Sequence, residues 1–230
     1  MSGSEHWERH ADQWAVWARK PEFDSYWTES GPSFLALVPP PGRRTIDIGC
    51  GEGRVARDLK ARGHDVVAVD AAPTLLRLAQ EADPDGEYVL ADAANLPFGA
   101  GAFDVAVAFN SLMDIDDMPG AIAEAGRVLA PRGRFCICIT HPMRDAGRFE
   151  PGRRSAPFVI RGSYFGKRRL EDRVTREGLE MHFRSWAYAF EDYACALATA
   201  GFVIEALREP PDPGRRVPNF LLIRAAQASR

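Results

Sequence analysis

Short apolar segments alternate with amphipathic ones through the middle of the chain, from Arg43 to about Ile139. The apolar segments predict β-strands at about 44–48, 65–69, 87–90, 103–109 and 134–140. The amphipathic segments predict helices at about 53–62, 73–82 and 118–129. Because strands that alternate with helices form parallel sheets with right-handed crossovers, we expect an α/β fold. Ligands of such sheets bind beyond the carboxyl ends of the strands.

The leader, residues 1–40, is rich in aromatic residues, and its polar intervals predict one or two helices. Trp7, Trp14 and Trp17 can share one face of these helices. The rings can pack against the core, lie as a lid over a ligand, or do both.

Beyond the core, residues 143–186 are rich in arginine, glycine and aromatic residues. Two strand-like stretches, 158–165 and 179–186, predict an inserted antiparallel hairpin. The tail predicts a helix over 190–200 and two final strands. We therefore expect one domain over 1–230, divided into a helical aromatic lid (1–40), a core (43–142), a substrate-side insertion (143–186), and a C-terminal helix and strands (187–230).

Net charge, the length of the apolar runs and cysteine spacing limit the partners and the cell compartment that we expect for this protein. The net charge of −3 gives no whole-molecule reason to expect nucleic acid as a partner. The apolar runs are of strand length, which predicts no membrane span, and the first residues do not resemble a secretion signal. None of the four cysteines has C-x-x-C spacing, so a reducing cytoplasm is the expected compartment.

Candidate chemistry begins where the first strand ends. Asp47 is followed by glycines at alternate positions, Gly49, Gly51 and Gly53, and then by a helical pattern. Such glycines permit a sharp turn and a close ligand, and the helix N-terminus offers free N–H groups. The spacing is G-x-G-x-G and differs from the G-x-G-x-x-G of dinucleotide-binding proteins.

Asp70 ends the second strand. An acid at this place in a βαβ unit can accept hydrogen bonds from both ribose hydroxyls of a nucleoside. The alternative interpretation is a helix N-cap, which the position of Pro73 in the next turn weakens but does not contradict.

Four segments in this order resemble the class I S-adenosylmethionine-dependent methyltransferases. They are the glycine loop with its acids, residues 91–98, residues 103–110 and residues 127–135. The resemblance extends over about 40–142 and, more loosely, from Tyr193 onward. It implies a seven-stranded, mostly parallel, doubly wound Rossmann-like sheet that ends in an antiparallel strand pair.

The resemblance also implies S-adenosylmethionine as cofactor and S-adenosylhomocysteine as product. The glycine loop would surround the methionine part, with Asp47 either orienting the loop or receiving the ammonium group. The cofactor-binding residues it implies are Asp47, Gly49, Gly51, Gly53, Asp70, Ala71, Asp92, Ala93, Asn110, Ser111 and Leu112.

Two residues are candidates for a catalytic base. His141 follows the fifth strand and titrates in a useful range, although a loop histidine can also serve as a cap. Asp114 follows the fourth strand, in an acidic turn where acids are also common as helix caps. No metal site is expected, because His6 and His10 are four residues apart but no third ligand is evident nearby.

The expected function is methyl transfer to a small organic molecule, most simply to an oxygen atom, by a monomer or homodimer. Three alternatives remain open at this point. They are an RNA (tRNA) methyltransferase, a non-catalytic cofactor-binding scaffold, and an enzyme that transfers an aminopropyl chain held by Asp114, Asp116 and Asp117.

Overall fold

The structure is a computed structural model that describes residues 1–152, 155–212 and 214–228. Its strands are β1 (Thr45–Ile48), β2 (Val66–Asp70), β3 (Glu87–Leu90), β4 (Phe103–Phe109), β5 (Leu129–Thr140), β6 (Gly147–Phe149), β7 (Phe158–Ile160), β8 (Arg168–Arg176), β9 (Leu179–Ala187), β10 (Phe202–Arg208) and β11 (Phe220–Gln227).

The helices flank this framework. They are α1 (Gly3–Arg9), α2 (Ala11–Ala18), α3 (Gly31–Leu37), α4 (Arg54–Lys60), α5 (Pro73–Ala82), α6 (Met118–Val128), α7 (Pro142–Asp145) and α8 (Phe190–Thr199). A π-helical turn, Tyr26–Ser30, precedes α3. Within the described part of the chain, no helix has both the length and the apolar character needed to cross a bilayer.

Seven strands form the central sheet in the order β10-β11-β5-β4-β1-β2-β3. The pairs from β3 to β5 are parallel, whereas β11 runs antiparallel to both β5 and β10. This is the predicted doubly wound sheet with an antiparallel C-terminal strand pair, so the expected Rossmann-like fold is confirmed.

The sheet is buried on both faces. Along β2, Val67 and Val69 pack into one apolar cluster, whereas Val66 and Ala68 pack into another. Alternate side chains of a strand point to opposite faces, so a continuous apolar run such as 66–69 fits a strand covered by helices on both sides. The parallel strands therefore end together at one edge of a rigid core.

The predicted hairpin of the insertion is wrong in its pairing. Strand β7 pairs with β6, and β9 pairs with β8. The β8–β9 turn is closed by Glu177 and Gly178, both with positive φ, as two-residue hairpin turns require. Strand β8 could not be recognised from the sequence, because its residues, R-R-L-E-D-R-V-T-R, are mostly charged and lack the apolar alternation that marks a strand.

Strand β5 also begins earlier than predicted, at Leu129 rather than at 134. Residues 130–133, which suggested a turn, instead continue the strand through an irregularity in its pairing with β4. Arg132 adopts a positive φ of 65° there. The other core elements differ from their predicted bounds by only one or two residues, which is the usual uncertainty of element ends.

Candidate functional site

A cavity of about 660 Å³ lies at the carboxyl ends of the parallel strands. Its floor includes the glycine loop and the residues that follow β2 and β4. Its cover comes from the leader, through Trp7, Trp14 and Trp17, and from the hairpin β8–β9, through Phe183. The volume lies within the range of about 300–1,000 Å³ that is usual for small-molecule sites.

The leader and the hairpin hold each other through aromatic contacts. The ring of Phe183 lies 6.2 Å from Trp14 and 5.8 Å from Trp17, in edge-to-face geometry in both cases. Trp7 packs on Trp14 in the same way, at 5.4 Å. The tryptophans thus pack together and also line the cavity, so both interpretations of the leader are compatible with the structure.

The glycine loop approaches the turn after β4 very closely. Gly49 has φ of 71°, and a Cβ placed there would lie 2.5 Å from the Cβ of Ser111. Ser111 in turn donates a hydrogen bond of 2.7 Å to the carbonyl of Ile48. Gly49 and Ser111 therefore fix the two sides of the floor against each other.

Asp47 is buried beneath this loop, with 1% of its surface exposed. Its Oδ2 has no hydrogen-bond partner among the described residues, although the residue lines the cavity. Burial, and then the nearby charge of Asp70, raise the pKa of this carboxyl to about 7. An unpaired buried carboxyl oxygen is costly, so this site is suited to a ligand group that donates a hydrogen bond or carries positive charge.

Asp70 is organised by the loop in front of it. Its Oδ2 accepts the N–H of Gly51 at 2.8 Å, and its Oδ1 accepts the N–H of Ala72 at 2.9 Å. Burial raises its pKa, while these backbone hydrogen bonds lower it. The N-cap of α5 is Ala72, so Asp70 is not the cap residue itself. A carboxylate has further acceptor sites, which remain available to a ligand.

The next two strand ends also reach the cavity. Asp92 lines it together with Ala93, and its Oδ1 accepts the N–H of Ala94 at 2.9 Å. After β4, Asn110 adopts a positive φ of 50° and lines the cavity beside Ser111. Ala71 lines it as well.

Two predicted cofactor residues lie away from the cavity. Leu112 is fully buried in the apolar core. Gly53 does not line the cavity either; a Cβ there would lie 2.8 Å from the Tyr88 hydroxyl. The third glycine of the loop therefore permits close packing against Tyr88 and α5.

Asp114 lies between the cavity and the leader. Burial raises the pKa of this carboxyl well above its ordinary value, and a hydrogen bond from the side chain of Trp7 opposes the shift. Its neighbour Asp117 behaves as a cap, as the sequence suggested, since it accepts the N–H of Gly120 at the start of α6. Asp116 instead binds the leader by accepting the N–H of Gly3 at 2.9 Å.

The structure does not bring His141 to the cavity. Its Nδ1 accepts the N–H of Met143 at 3.1 Å and caps α7, while its Nε2 lies 3.0 Å from a carboxylate oxygen of Glu209. Pro142 occupies the first turn of α7 and leaves His141 as the residue that caps the helix. Thr140, one residue earlier, lines the cavity instead. In the structure His141 therefore acts as a cap, the alternative that the sequence left open, and its position does not support a role as the base.

Sequence reasoning missed several cavity residues of the cover. Arg176 and Arg184 of the hairpin line it, in the segment that the sequence marked only as rich in arginine. Arg176 also donates a hydrogen bond of 3.1 Å to the carbonyl of Glu22 and lies over the ring of Trp17. Only the arginine-rich composition hinted at this role, because strand β8 was not recognised.

Three of the four cysteines are buried, whereas Cys195 is exposed. Cys136 and Cys138 are fully buried on the face of β5 that packs below the leader. Cys50 lines the cavity, and burial raises the pKa of its thiol, so the reactive thiolate is disfavoured.

Comparison with known proteins agrees with this architecture. The family model described as "Methyltransferase domain" matches residues 46–137. A solved S-adenosylmethionine-dependent methyltransferase from Mesorhizobium loti is 26% identical, with a TM-score of 0.68, and the match covers 90% of this chain and 100% of that one.

Two curated relatives match the core at the sequence level. The demethylmenaquinone methyltransferase of Renibacterium salmoninarum is 31% identical over 103 residues, 44% of each chain. The malonyl-[acyl-carrier protein] O-methyltransferase of Serratia marcescens is 34% identical over 93 residues, 40% of this chain and 36% of the relative. The chain thus spans less than half the length of these two relatives.

Proposed function

Since the chain belongs to the class I S-adenosylmethionine-dependent methyltransferases, we propose that it transfers the methyl group of this cofactor to an oxygen atom of a small organic molecule. The main observation behind the proposal is that one cavity is lined on opposite sides by two different sets of residues. One wall holds the acids and glycines that follow the strands, and the other holds the aromatic leader and the hairpin β8–β9.

The cofactor fits the residues of the floor. Its ammonium group would donate a hydrogen bond to the unpaired Oδ2 of Asp47, and its ribose hydroxyls would donate to the remaining acceptor sites of Asp70. Its adenine amino group would donate to the carboxylate of Asp92. When bound, S-adenosylmethionine supplies an electrophilic methyl group on a positively charged sulfur. No metal or further cofactor is needed for this proposal.

The chain's own contribution is alignment, exclusion of water and removal of a proton. The tryptophans of the leader close the cavity over the reacting groups, which favours an in-line approach of the acceptor. Asp114 is the proposed base, since it lines the same cavity and its raised pKa makes its ionised form a stronger base. It would accept the hydroxyl proton as the oxygen attacks.

The relatives inform the choice of acceptor. One is named for demethylmenaquinone and the other for O-methylation of a malonyl group. The second name points to a carboxylate oxygen, which is already ionised and needs no base. A hydroxyl oxygen, whose proton Asp114 would take, is the other acceptor class to try. Arg176 and Arg184 line the cover and would favour an acceptor that carries negative charge.

The test is transfer of labelled methyl from S-adenosylmethionine into a cell extract, followed by separation of small molecules, RNA and protein. Label in small organic compounds, lost in an Asp114→Asn variant, is the expected result. Label that appears only in RNA and disappears with ribonuclease would overturn the proposal in favour of an RNA methyltransferase. Binding of the cofactor with no transfer to any fraction would instead favour a non-catalytic scaffold. Intracellular action and a monomeric or dimeric state remain part of the proposal.

A further inference from the structure

Three histidines meet where the leader touches the hairpin, outside the floor of the cavity. His6 lies in α1, His10 lies between α1 and α2, and His182 lies on β9. One ring nitrogen of each lies within 4.8 Å of those of the other two. The ring centroids are 4.4 Å apart for His6 and His10, 5.1 Å for His6 and His182, and 5.6 Å for His10 and His182.

The ring hydrogens of two of these histidines are fixed by backbone carbonyls. Nε2 of His6 lies 2.9 Å from the carbonyl of His182, and Nδ1 of His10 lies 2.8 Å from the carbonyl of His6. A carbonyl can only accept, so each of these nitrogens carries the hydrogen. The other nitrogen of each ring, Nδ1 of His6 and Nε2 of His10, is left with a lone pair.

His6 presents its lone pair without a protein partner. The residue has 0% exposure, and its Nδ1 has no hydrogen-bond partner among the described residues. Burial, the largest cause, lowers the pKa of His6 and so favours the uncharged ring. An orphaned, buried, neutral imidazole nitrogen beside two other imidazoles is an arrangement that a metal ion satisfies.

We propose that His6, His10 and His182 form a site for a divalent transition metal, with Zn²⁺ as the leading candidate. Imidazoles that bind zinc usually donate their second ring N–H to a carbonyl or carboxylate, which is the arrangement found at His6 and His10. Tetrahedral Zn²⁺ with bonds of about 2.1 Å holds its ligands about 3.4 Å apart, so binding would draw the three nitrogens together from separations of up to 4.8 Å.

The charges around the site allow a cation. Two arginines lie near the site: Arg173 is opposite His182 in the hairpin, and Arg184 has its guanidinium 3.5 Å from the carboxylate of Glu171. Glu171 also lies 3.9 Å from Nε2 of His182, so it can orient that ring or supply a fourth ligand. Water can take the remaining position.

The site would add a metal link between two parts of the cover that already meet through aromatic packing, hydrogen bonds and the ion pair of Lys20 with Glu177. Helix α1 contributes Ser4 and Trp7 to the cavity, and β9 contributes Phe183 and Arg184. A metal shared by His6, His10 and His182 would hold the leader on the hairpin. Sequence reasoning missed this site because His182 is 172 positions from His10 and lies on a strand.

The test uses tag-free protein, stripped with a chelator and kept without cofactor, so that it is independent of the proposed methyl transfer. After Zn²⁺ is added back and excess metal is removed by gel filtration, we expect the protein to retain about one Zn²⁺ per chain. Co²⁺ added in its place should give the visible absorption of a tetrahedral nitrogen site. Competition with a chromogenic chelator then gives the affinity. His10→Ala and His182→Ala should each weaken it by at least about tenfold.

The matched control is His141→Ala, which removes a histidine that caps α7, far from the proposed site in the chain. This variant should bind Zn²⁺ as tightly as the wild type does. In the wild type, Zn²⁺ should slow hydrogen exchange in residues 3–18 and 179–187, and in His182→Ala it should not. The circular dichroism spectra of the metal-free variants must match that of the wild type, which shows that they fold. If His182→Ala fails this control, the Zn²⁺ affinity of His10→Ala tests the proposal. Failure to retain any of the three ions Zn²⁺, Co²⁺ and Ni²⁺, or unchanged affinity in both variants, would overturn the proposal.

Discussion

Arg54 and Asp24 form an ion pair with 3.1 Å between Nη1 and Oδ2, and both side chains are almost fully buried. Arg54 begins α4 directly after the glycine loop, whereas Asp24 lies in the leader. The guanidinium also lies over the ring of Tyr26, 4.5 Å from its centroid. This pair joins the leader to the loop that surrounds the proposed cofactor.

We expect Asp24→Ala to lower the free energy of unfolding by about 3 kcal/mol, because it leaves the Arg54 charge buried without its partner. Denaturant titration of the purified protein measures this. The matched control is Arg43→Ala, which breaks the largely exposed pair with Asp104 and should cost less than about 1 kcal/mol. Similar losses in the two variants would show that the Arg54 pair does not anchor the leader.

Asp70→Asn should weaken binding of S-adenosylhomocysteine by about tenfold or more. The amide has one acceptor oxygen in place of two, so it cannot serve both the loop N–H groups and the ribose hydroxyls as the carboxylate can. Calorimetric titration gives the affinity. Asp65→Asn is the control, because Asp65 is an exposed acid next to the same strand. If both variants bind equally well, Asp70 does not hold the ribose.

The sheet could be predicted from the sequence because its strands are apolar and its helices amphipathic. Asp47, Asp70 and Asp92 could be located at strand ends for the same reason, since each directly follows or closes an apolar run. Their roles toward the cofactor rest on the family resemblance and stay predictions.

The cover of the cavity could not be predicted in the same way. Strand β8 is charged, and its pairing with β9 depends on a two-residue turn rather than on apolar alternation. Contacts such as Trp14 with Phe183 and His10 with His182 join residues far apart in the chain, and no local pattern encodes them. His141 was predicted as a base because its strand-end position resembled that of the acids, whereas in the structure it precedes Pro142 and caps α7.

Asp47→Asn should stabilise the cofactor-free protein at alkaline pH. The pKa of this carboxyl is raised from 3.8 to about 7 in the folded protein, so the folded state binds the proton more tightly. Wild-type stability is therefore lost as pH rises from about 4 to about 7, whereas Asn does not titrate. The stability advantage of the variant should grow by about 1–4 kcal/mol between these limits.

Denaturant titrations at about pH 5 and about pH 8 measure this difference. Asp65→Asn again serves as control and should show no comparable change. A constant difference between Asp47→Asn and the wild type at the two pH values would mean that Asp47 keeps an ordinary pKa. The same variant should also bind the cofactor more weakly, because the unpaired oxygen that faces the cavity loses its charge.

His141→Ala should leave methyl transfer close to the wild-type rate once an acceptor is known. Both ring nitrogens already have partners, Met143 and Glu209, and the ring does not line the cavity. Loss of the cap should lower the free energy of unfolding by about 1 kcal/mol. Turnover and denaturant titration together separate the two roles, and a large fall in kcat at unchanged stability would restore His141 as a base.

Asp114→Asn should lower kcat by about 10²-fold or more while cofactor affinity changes little, if the carboxylate takes the proton of the acceptor. The ionised form is the active one, so the wild-type rate should rise with pH through a pKa well above that of an ordinary aspartate. Trp7→Phe removes a hydrogen bond that favours the charged form, which should move this rise to higher pH. A pH profile that stays unchanged in Trp7→Phe, together with normal turnover in Asp114→Asn, would leave Asp114 with a structural role only.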